Sequence, residues 1–176
     1  MTIQTILRMG DPVLLQKASP VVFPADPEIK TLLADMHETM VAADGAGLAA
    51  PQIGVGLQVV MFQVDNNPRY PDIEPIPLTI MINPQIEPLG TETEADWEGC
   101  LSLPGLRGKV SRYRHIRVRY QDSHGQALTL DASDFHARVI QHECDHLQGI
   151  LYPARMTDMS LFGFRTELDE ASKQTE

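Results

Sequence analysis

Gln141-His142-Glu143-Cys144-Asp145-His146-Leu147-Gln148-Gly149-Ile150-Leu151 is the stretch on which the reading of this chain turns. It holds His-Glu-x-x-His within a pattern that reads as helix. Residues four apart on an α-helix differ by about 40° in direction and sit one turn apart, so His142 and His146 can offer both imidazoles to one ion. Glu143 lies about 100° further round, where its carboxylate reaches a water beside the ion rather than the ion itself. That is the place of a general base in metal-assisted hydrolysis.

Working outward, Phe135, Val139, Ile140 and Leu147 form the apolar side of this helix, Ser133 or Asp131 can cap its start, and Gly149 suits its C-terminal end. Upstream, from about 109 to 131, the residues alternate in strand fashion. Asp122-Ser123-His124-Gly125 there predicts a hairpin turn joining 115–121 to 127–130. Residues 58–64 and 78–83 read as two further strands, separated by an irregular loop over 65–77 that contains Pro68, Pro71, Pro75 and Pro77. Asp26-Pro27-Glu28 is a helix start, with an N-cap carboxylate, a proline and a first-turn acid. The helix it opens runs to about residue 43 and turns Ile29, Leu32, Leu33, Met36, Met40 and Val41 to the core. Asp44-Gly45-Ala46-Gly47 ends it. A block of strands preceding the motif helix favours α+β over alternating βαβ units: antiparallel and mixed strands packed around a central metal-binding helix, with an N-terminal helix.

At 176 residues the chain predicts a single catalytic domain over 1–176, in which 157–176 form a polar, acidic C-terminal segment with five acids against two bases. Its 43% hydrophobic and 22% charged composition is that of a globular protein, and it has no apolar run long enough for a bilayer. The N-terminus has neither a basic-then-apolar leader nor an Arg/Ser-rich transit pattern, which predicts a cytoplasmic protein. A formal charge of −10 argues against a general nucleic-acid binder. One local exception exists: Arg107, Lys109, Arg112, Arg114, Arg117 and Arg119 are six of the fourteen basic residues. The plain reading is a solvated strand face paired with acids, ahead of an anion or RNA patch.

Two histidines leave a catalytic site one protein ligand short. No histidine follows residue 146, and Glu167 and Glu170 lie in the polar tail. Cys100, in Glu98-Gly99-Cys100-Leu101-Ser102 before a turn at Pro104-Gly105, is the better candidate. An isolated buried thiol is more often inert, but beside His-Glu-x-x-His it becomes a ligand candidate. Cys144 points about 200° away from His142, toward the core. Neither cysteine belongs to a C-x-x-C pair.

These residues resemble the peptide deformylase family. Gly45-Ala46-Gly47-Leu48-Ala49-Ala50-Pro51-Gln52 resembles its glycine-rich first motif, Glu98-Gly99-Cys100-Leu101-Ser102 its second, and Gln141-His142-Glu143-Cys144-Asp145-His146 its third. The N-terminal Leu7-Arg8-Met9-Gly10-Asp11-Pro12-Val13-Leu14 is also typical. Two departures stand out: Ala46, where the family has Ile or Val, suggests a roomier pocket wall, and the acidic tail replaces a basic helix with which some members end.

The resemblance implies that Cys100, His142 and His146 hold one divalent metal ion, Fe(II) first, with Zn, Ni or Co able to occupy the site. It further implies Glu143 as the base, and Gln52 with the backbone N–H of Leu101 as donors to the developing oxyanion. Gly45, Gly47 and Gly99 would let a peptide backbone lie close, as an added strand would. Glu98 and Arg107 would pair near the substrate. Asp145 has two readings: it orients a ligand histidine, or it holds a strand arginine. The implied reaction removes the formyl group from an N-formylmethionyl peptide and releases formate, with a transient ribosome association at most and no membrane or specific nucleic-acid partner. Two other readings of the same helix are an endopeptidase and a structural metal module without turnover.

Overall fold

The computed structural model describes residues 2–23, 27–65 and 73–173, with side chains to 171. Among these residues, three α-helices, α1 (Glu28–Ala42), α2 (Asp134–Leu147) and α3 (Arg165–Lys173), accompany eight strands. The strands are β1 (Gly47–Ala49), β2 (Val59–Val64), β3 (Ile76–Pro88), β4 (Thr93–Cys100), β5 (Leu103–Tyr113), β6 (His115–Gln121), β7 (Ala127–Ser133) and β8 (Phe162–Phe164). They form a five-stranded sheet ordered β1-β2-β3-β6-β7 and a three-stranded sheet ordered β4-β5-β8. Every pairing between these strands is antiparallel, and the mixed character expected is confined to one isolated parallel bridge, Ser19 to Leu57. The α+β class stands, with α2 packed against both sheets.

That position explains why α2 is buried almost all round from Ala137 to Leu147. Val139, Ile140 and Leu147 join the core formed by Val60, Phe62 and Met81, as the apolar side requires. Truncating Ile140, fully enclosed, would cost about 2–5 kcal/mol. Gly149 follows the helix at φ +71°, and a Cβ there would meet the Leu15 carbonyl oxygen at 2.4 Å, so glycine is required twice over. Ser133 is the N-cap residue but makes no capping hydrogen bond. Its hydroxyl lies 3.0 Å from His115 Nδ1, and Asp131 is engaged by Arg117, so cross-strand pairing outbids capping for both side chains.

α1 buries Ile29, Leu33, Met36 and Met40 as its spacing predicts. Val41 is instead exposed, because it follows Met40 by one residue and points about 100° away. The expected cap at Asp26 lies outside the described residues, as do 66–72 of the proline-rich loop. The strand expected over 78–83 continues to Pro88 through a register shift after Ile82, where Asn83 adopts φ +53°. Its side chain both accepts from Val21 N–H and donates to Val21 C=O at 2.8 Å, which ties the N-terminal stretch to this bend. The β6–β7 hairpin forms as expected, with Gly125 at φ +84°.

Candidate active site and metal centre

β4 and β5 bring the distant thiol to α2. Side chains alternate along a strand, so Glu98 and Cys100 share the β4 face turned toward α2, and both are buried. The turn that ends β4 is Leu101-Ser102, not the expected Pro104-Gly105, which already lies in β5. Its tightness comes from a register shift at Gly99/Cys100, where Cys100 pairs with Leu103. Cys100, His142 and His146 then converge: one ligand atom from each lies within 4.8 Å of the others, all three residues buried. Cys100 Sγ is 3.3 Å from His146 Nε2. Both cysteines are free, and Cys144 packs against the core, where burial pushes its thiol pKa well up and leaves it unreactive.

One cysteine sulfur and two imidazoles form a donor set suited to a single divalent ion. One orphaned atom agrees with this: Glu143 Oε2 is buried without a hydrogen-bond partner among the described residues. Glu143 rests against Gly47, where an added Cβ would come within 2.4 Å of its Oε1, so the close approach of this carboxylate requires glycine there. Burial raises the Glu143 pKa to about 7, with the nearby Glu98 charge adding and His142 opposing.

Gln52, buried on a short 3₁₀ turn, is fixed at both ends of its amide. Its Oε1 accepts from Ala49 N–H at 2.9 Å, which turns Nε2 toward Ser102 Oγ at 3.1 Å and Cys100 Sγ at 3.5 Å. A cavity of about 50 Å³ is lined by Gly45, Gln52, Cys100, Leu101, His142 and Glu143, with Ala46, Phe135 and Val139 at its apolar side. It shares Trp97, Glu98, Gly99 and Cys100 with a larger groove of about 680 Å³ that adds Arg107, Arg165 and Leu106.

The expected Glu98–Arg107 pair does not form. Glu98 faces Gly108 across the ladder while Arg107 faces Gly99, one residue out of step and hence on the opposite face. Glu98 instead takes Arg112 Nε and Nη2 at 2.8 and 2.9 Å, Arg138 Nη1 at 2.9 Å and the ring nitrogen His142 Nδ1 at 2.9 Å. Burial works against its charge, but the bonds from Arg112 and His142 outweigh it and hold the carboxyl well below the usual range. Glu98 thus fixes the ligand ring so that Nε2 faces the centre. Of the two readings of Asp145, the arginine reading holds: it accepts from Arg112 Nη1 at 2.5 Å and from Arg155 Nη2 at 2.5 Å.

Sequence reasoning missed three contributors. Arg138 is buried and bonded to the Val110 and Glu94 carbonyls, although a charged residue on a helix ordinarily signals solvent. Tyr152 stacks on His142 with ring centroids 6.1 Å apart. Trp97 carries the Arg107 guanidinium 4.7 Å above its ring. Their only sequence signal was adjacency to a motif. In the basic cluster, Arg114, Arg117 and Arg119 are the solvated, acid-paired face expected, whereas Arg112 is interior.

With this geometry in view, the chain can be placed among known proteins. The profile of the polypeptide deformylase family matches residues 3–161. The chain belongs to that family. Peptide deformylase 2 of Ralstonia nicotianae is 59% identical over 162 residues, which cover 92% of each chain. Peptide deformylase 1 of Nitrosomonas europaea is 54% identical over 166 residues, 94% of each. The Met-Ala-Ser-bound crystal structure of the class I type b peptide deformylase from Acinetobacter baumannii superposes with a TM-score of 0.84 at 34% identity, covering 88% of this chain and 99% of that one. As a deformylase, the chain is a hydrolase that removes the N-formyl group from the N-terminal methionine of newly synthesised polypeptides and releases formate. No helix among its described residues is long and apolar enough to cross a membrane.

Proposed function

We propose that deformylation is carried out by Glu143 and Gln52 around a divalent ion held by Cys100, His142 and His146. The observation that carries this reading is the convergence of those three ligand atoms within 4.8 Å, with the unpartnered Glu143 Oε2 alongside. When bound, the ion supplies a Lewis acid and makes hydroxide accessible near neutral pH. Glu143 accepts the proton of the attacking water and returns it to the nitrogen of the methionine as the C–N bond to the formyl carbon breaks, so that formate and a free amine leave. The Gln52 amide, held by Ala49 N–H, donates to the formyl oxygen as it gains charge, with the Leu101 N–H as second donor. Glu98 holds the His142 ring, and Gly45, Gly47 and Gly99 border the path of the peptide backbone, with Arg107 in the groove beyond. Ala46, half-buried beside Phe135 and Val139, leaves the methionine pocket roomier than a branched residue would. A product of the Met-Ala-Ser type, bound by the Acinetobacter relative, fits this reading.

Fe(II) is the ion we assign, since a thiolate with two imidazoles accepts Fe(II), Zn, Ni or Co and supply decides among them. We place the protein in the cytoplasm, where formylated chains are made, with a transient ribosome contact at most. Anaerobic purification with elemental analysis, followed by assay of formate release from formyl-Met-Ala-Ser and of cleavage of an unblocked protein, tests the reading. Formate from the formylated peptide alone, abolished in Glu143→Gln, is the expected result; cleavage of the unblocked protein would replace it with the endopeptidase. Activity stable in air would count against Fe(II).

A further inference from the structure

The outer groove has a wall beyond the reach of the family profile, which ends at residue 161. β8 follows and pairs with the free edge of β5, Leu106 against Phe164 and Arg107 against Gly163, and so carries α3 to the groove. There Arg165 joins Arg107 in the lining. Arg107 lies over Trp97 and its Nη2 donates to Asp169 Oδ1 on α3, while Arg165 Nε is 3.6 Å from the other oxygen of the same carboxylate. Two guanidinium groups therefore share one carboxylate. Arg107 Nε is buried without a partner among the described residues, so the guanidinium is held by its Nη2 bond to Asp169 and its place over Trp97. Two further acids, Asp44 and Asp96, line the groove, and the Asp96 carboxylate accepts from Trp97 N–H at 2.7 Å. Two guanidinium groups beside a peptide path recognise carboxylates above other groups.

We propose that this end of the groove is a subsite for an acidic side chain of the substrate, downstream of its methionine, and that Asp169 is a built-in competitor for that subsite. The proposal rests on reading the groove as the peptide path. Asp169 is a positioning residue: it holds Arg107 against Trp97 and lowers the groove's preference for acidic sequences. A substrate carboxylate takes its place on Arg107 and Arg165 without a new charge being buried, because the Arg107 and Asp169 side chains are 23% and 41% exposed.

The test uses metal-loaded protein and formyl-Met peptides carrying Glu, Gln or Lys at each of positions two to five. kcat and KM are measured for the native chain, Asp169→Asn and Glu170→Gln, and the Kd of each unformylated product peptide by calorimetry. At one position Asp169→Asn raises the Glu-over-Lys ratio of kcat/KM about fivefold, through KM, with product Kd values moving in parallel, as loss of one partly exposed ion-pair competitor allows. Glu170→Gln, an equal change of net charge at an exposed residue of the same helix, leaves the ratio unmoved. An unchanged ratio in Asp169→Asn at every position overturns the proposal, and so does an equal rise in Glu170→Gln. Because product binding does not depend on turnover, the expected Kd pattern without formate release would uphold the subsite and remove only the catalytic roles assigned above.

Discussion

Arg112 and Arg114 stand two residues apart in one basic cluster, yet they belong to different kinds of structure. Arg112 is 5% exposed and bridges Glu98 and Asp145, linking Arg155 at the surface to the ligand His142. Arg114 pairs with Glu92 and Asp134 in solvent, and Arg117 and Arg119 continue that ladder toward Asp131 and Glu87. The chemistry is the same and the surroundings are not. In water such pairs contribute about 0–1 kcal/mol, whereas a buried charge stripped of its partner costs several times that. The difference teaches that, in this chain, ion pairs matter through what they hold in place.

The comparison can be broken at four points. Arg112→Met leaves Glu98 and Asp145 buried with too few partners and is expected to lower unfolding free energy by about 3–5 kcal/mol in urea titrations; a loss under about 1 kcal/mol would put Arg112 with the surface ladder. Glu98→Gln keeps the shape but loosens His142, so metal affinity should drop about 10–100-fold in competition with a chromophoric chelator. Unchanged affinity would show that Tyr152 stacking and helix geometry alone hold the ring.

Glu143 offers a pH readout in the metal-free protein. Its folded pKa of about 7 lies above the ordinary value of 4.5, so the proton-linked stability is fully present below about 4.5 and is lost as pH rises through about 7. Glu143→Gln removes that loss and should stabilise the metal-free chain by about 3 kcal/mol at pH 8, roughly 6–12 °C in Tm, with no gain at pH 4. A gain independent of pH would rule out burial of the charge as its cause. Smallest of all, Arg117→Ala should change stability by less than about 0.5 kcal/mol, and less still in high salt. A larger effect would mean that the exposed ladder is not a solvated face.

How much of the site was legible from sequence depended on how far apart its parts lie in the chain. His142, Glu143 and His146 follow from helix geometry alone, because residues three and four apart share a face whatever the rest of the molecule does. Cys100 was legible as a third-ligand candidate only by elimination beside the histidine pair, and Gln52 only through resemblance to a family, since neither residue type predicts its role in isolation. The Glu98–Arg107 pairing failed by one position of β-ladder register, where a single-residue step turns a side chain to the other face. Arg138 was passed over and Arg112 was read as part of a solvated strand face because composition treats charge as exposed, and only the enclosure of α2 between two sheets makes them interior.

By itself, then, the sequence determined the elements whose signals are local: the amphipathic α1, the β6–β7 hairpin, the metal-motif helix with Gly149 at its end, and the two imidazoles on one side of it. Tertiary structure alone decided that Cys100 meets those imidazoles, that Gln52 points its amide at the thiol, that Glu98 grips His142, and that α3 brings Asp169 to Arg107. The physical reason is range. Backbone periodicity acts over one turn or one pleat, whereas register, burial and charge pairing between segments arise only when the sheets close around the helix.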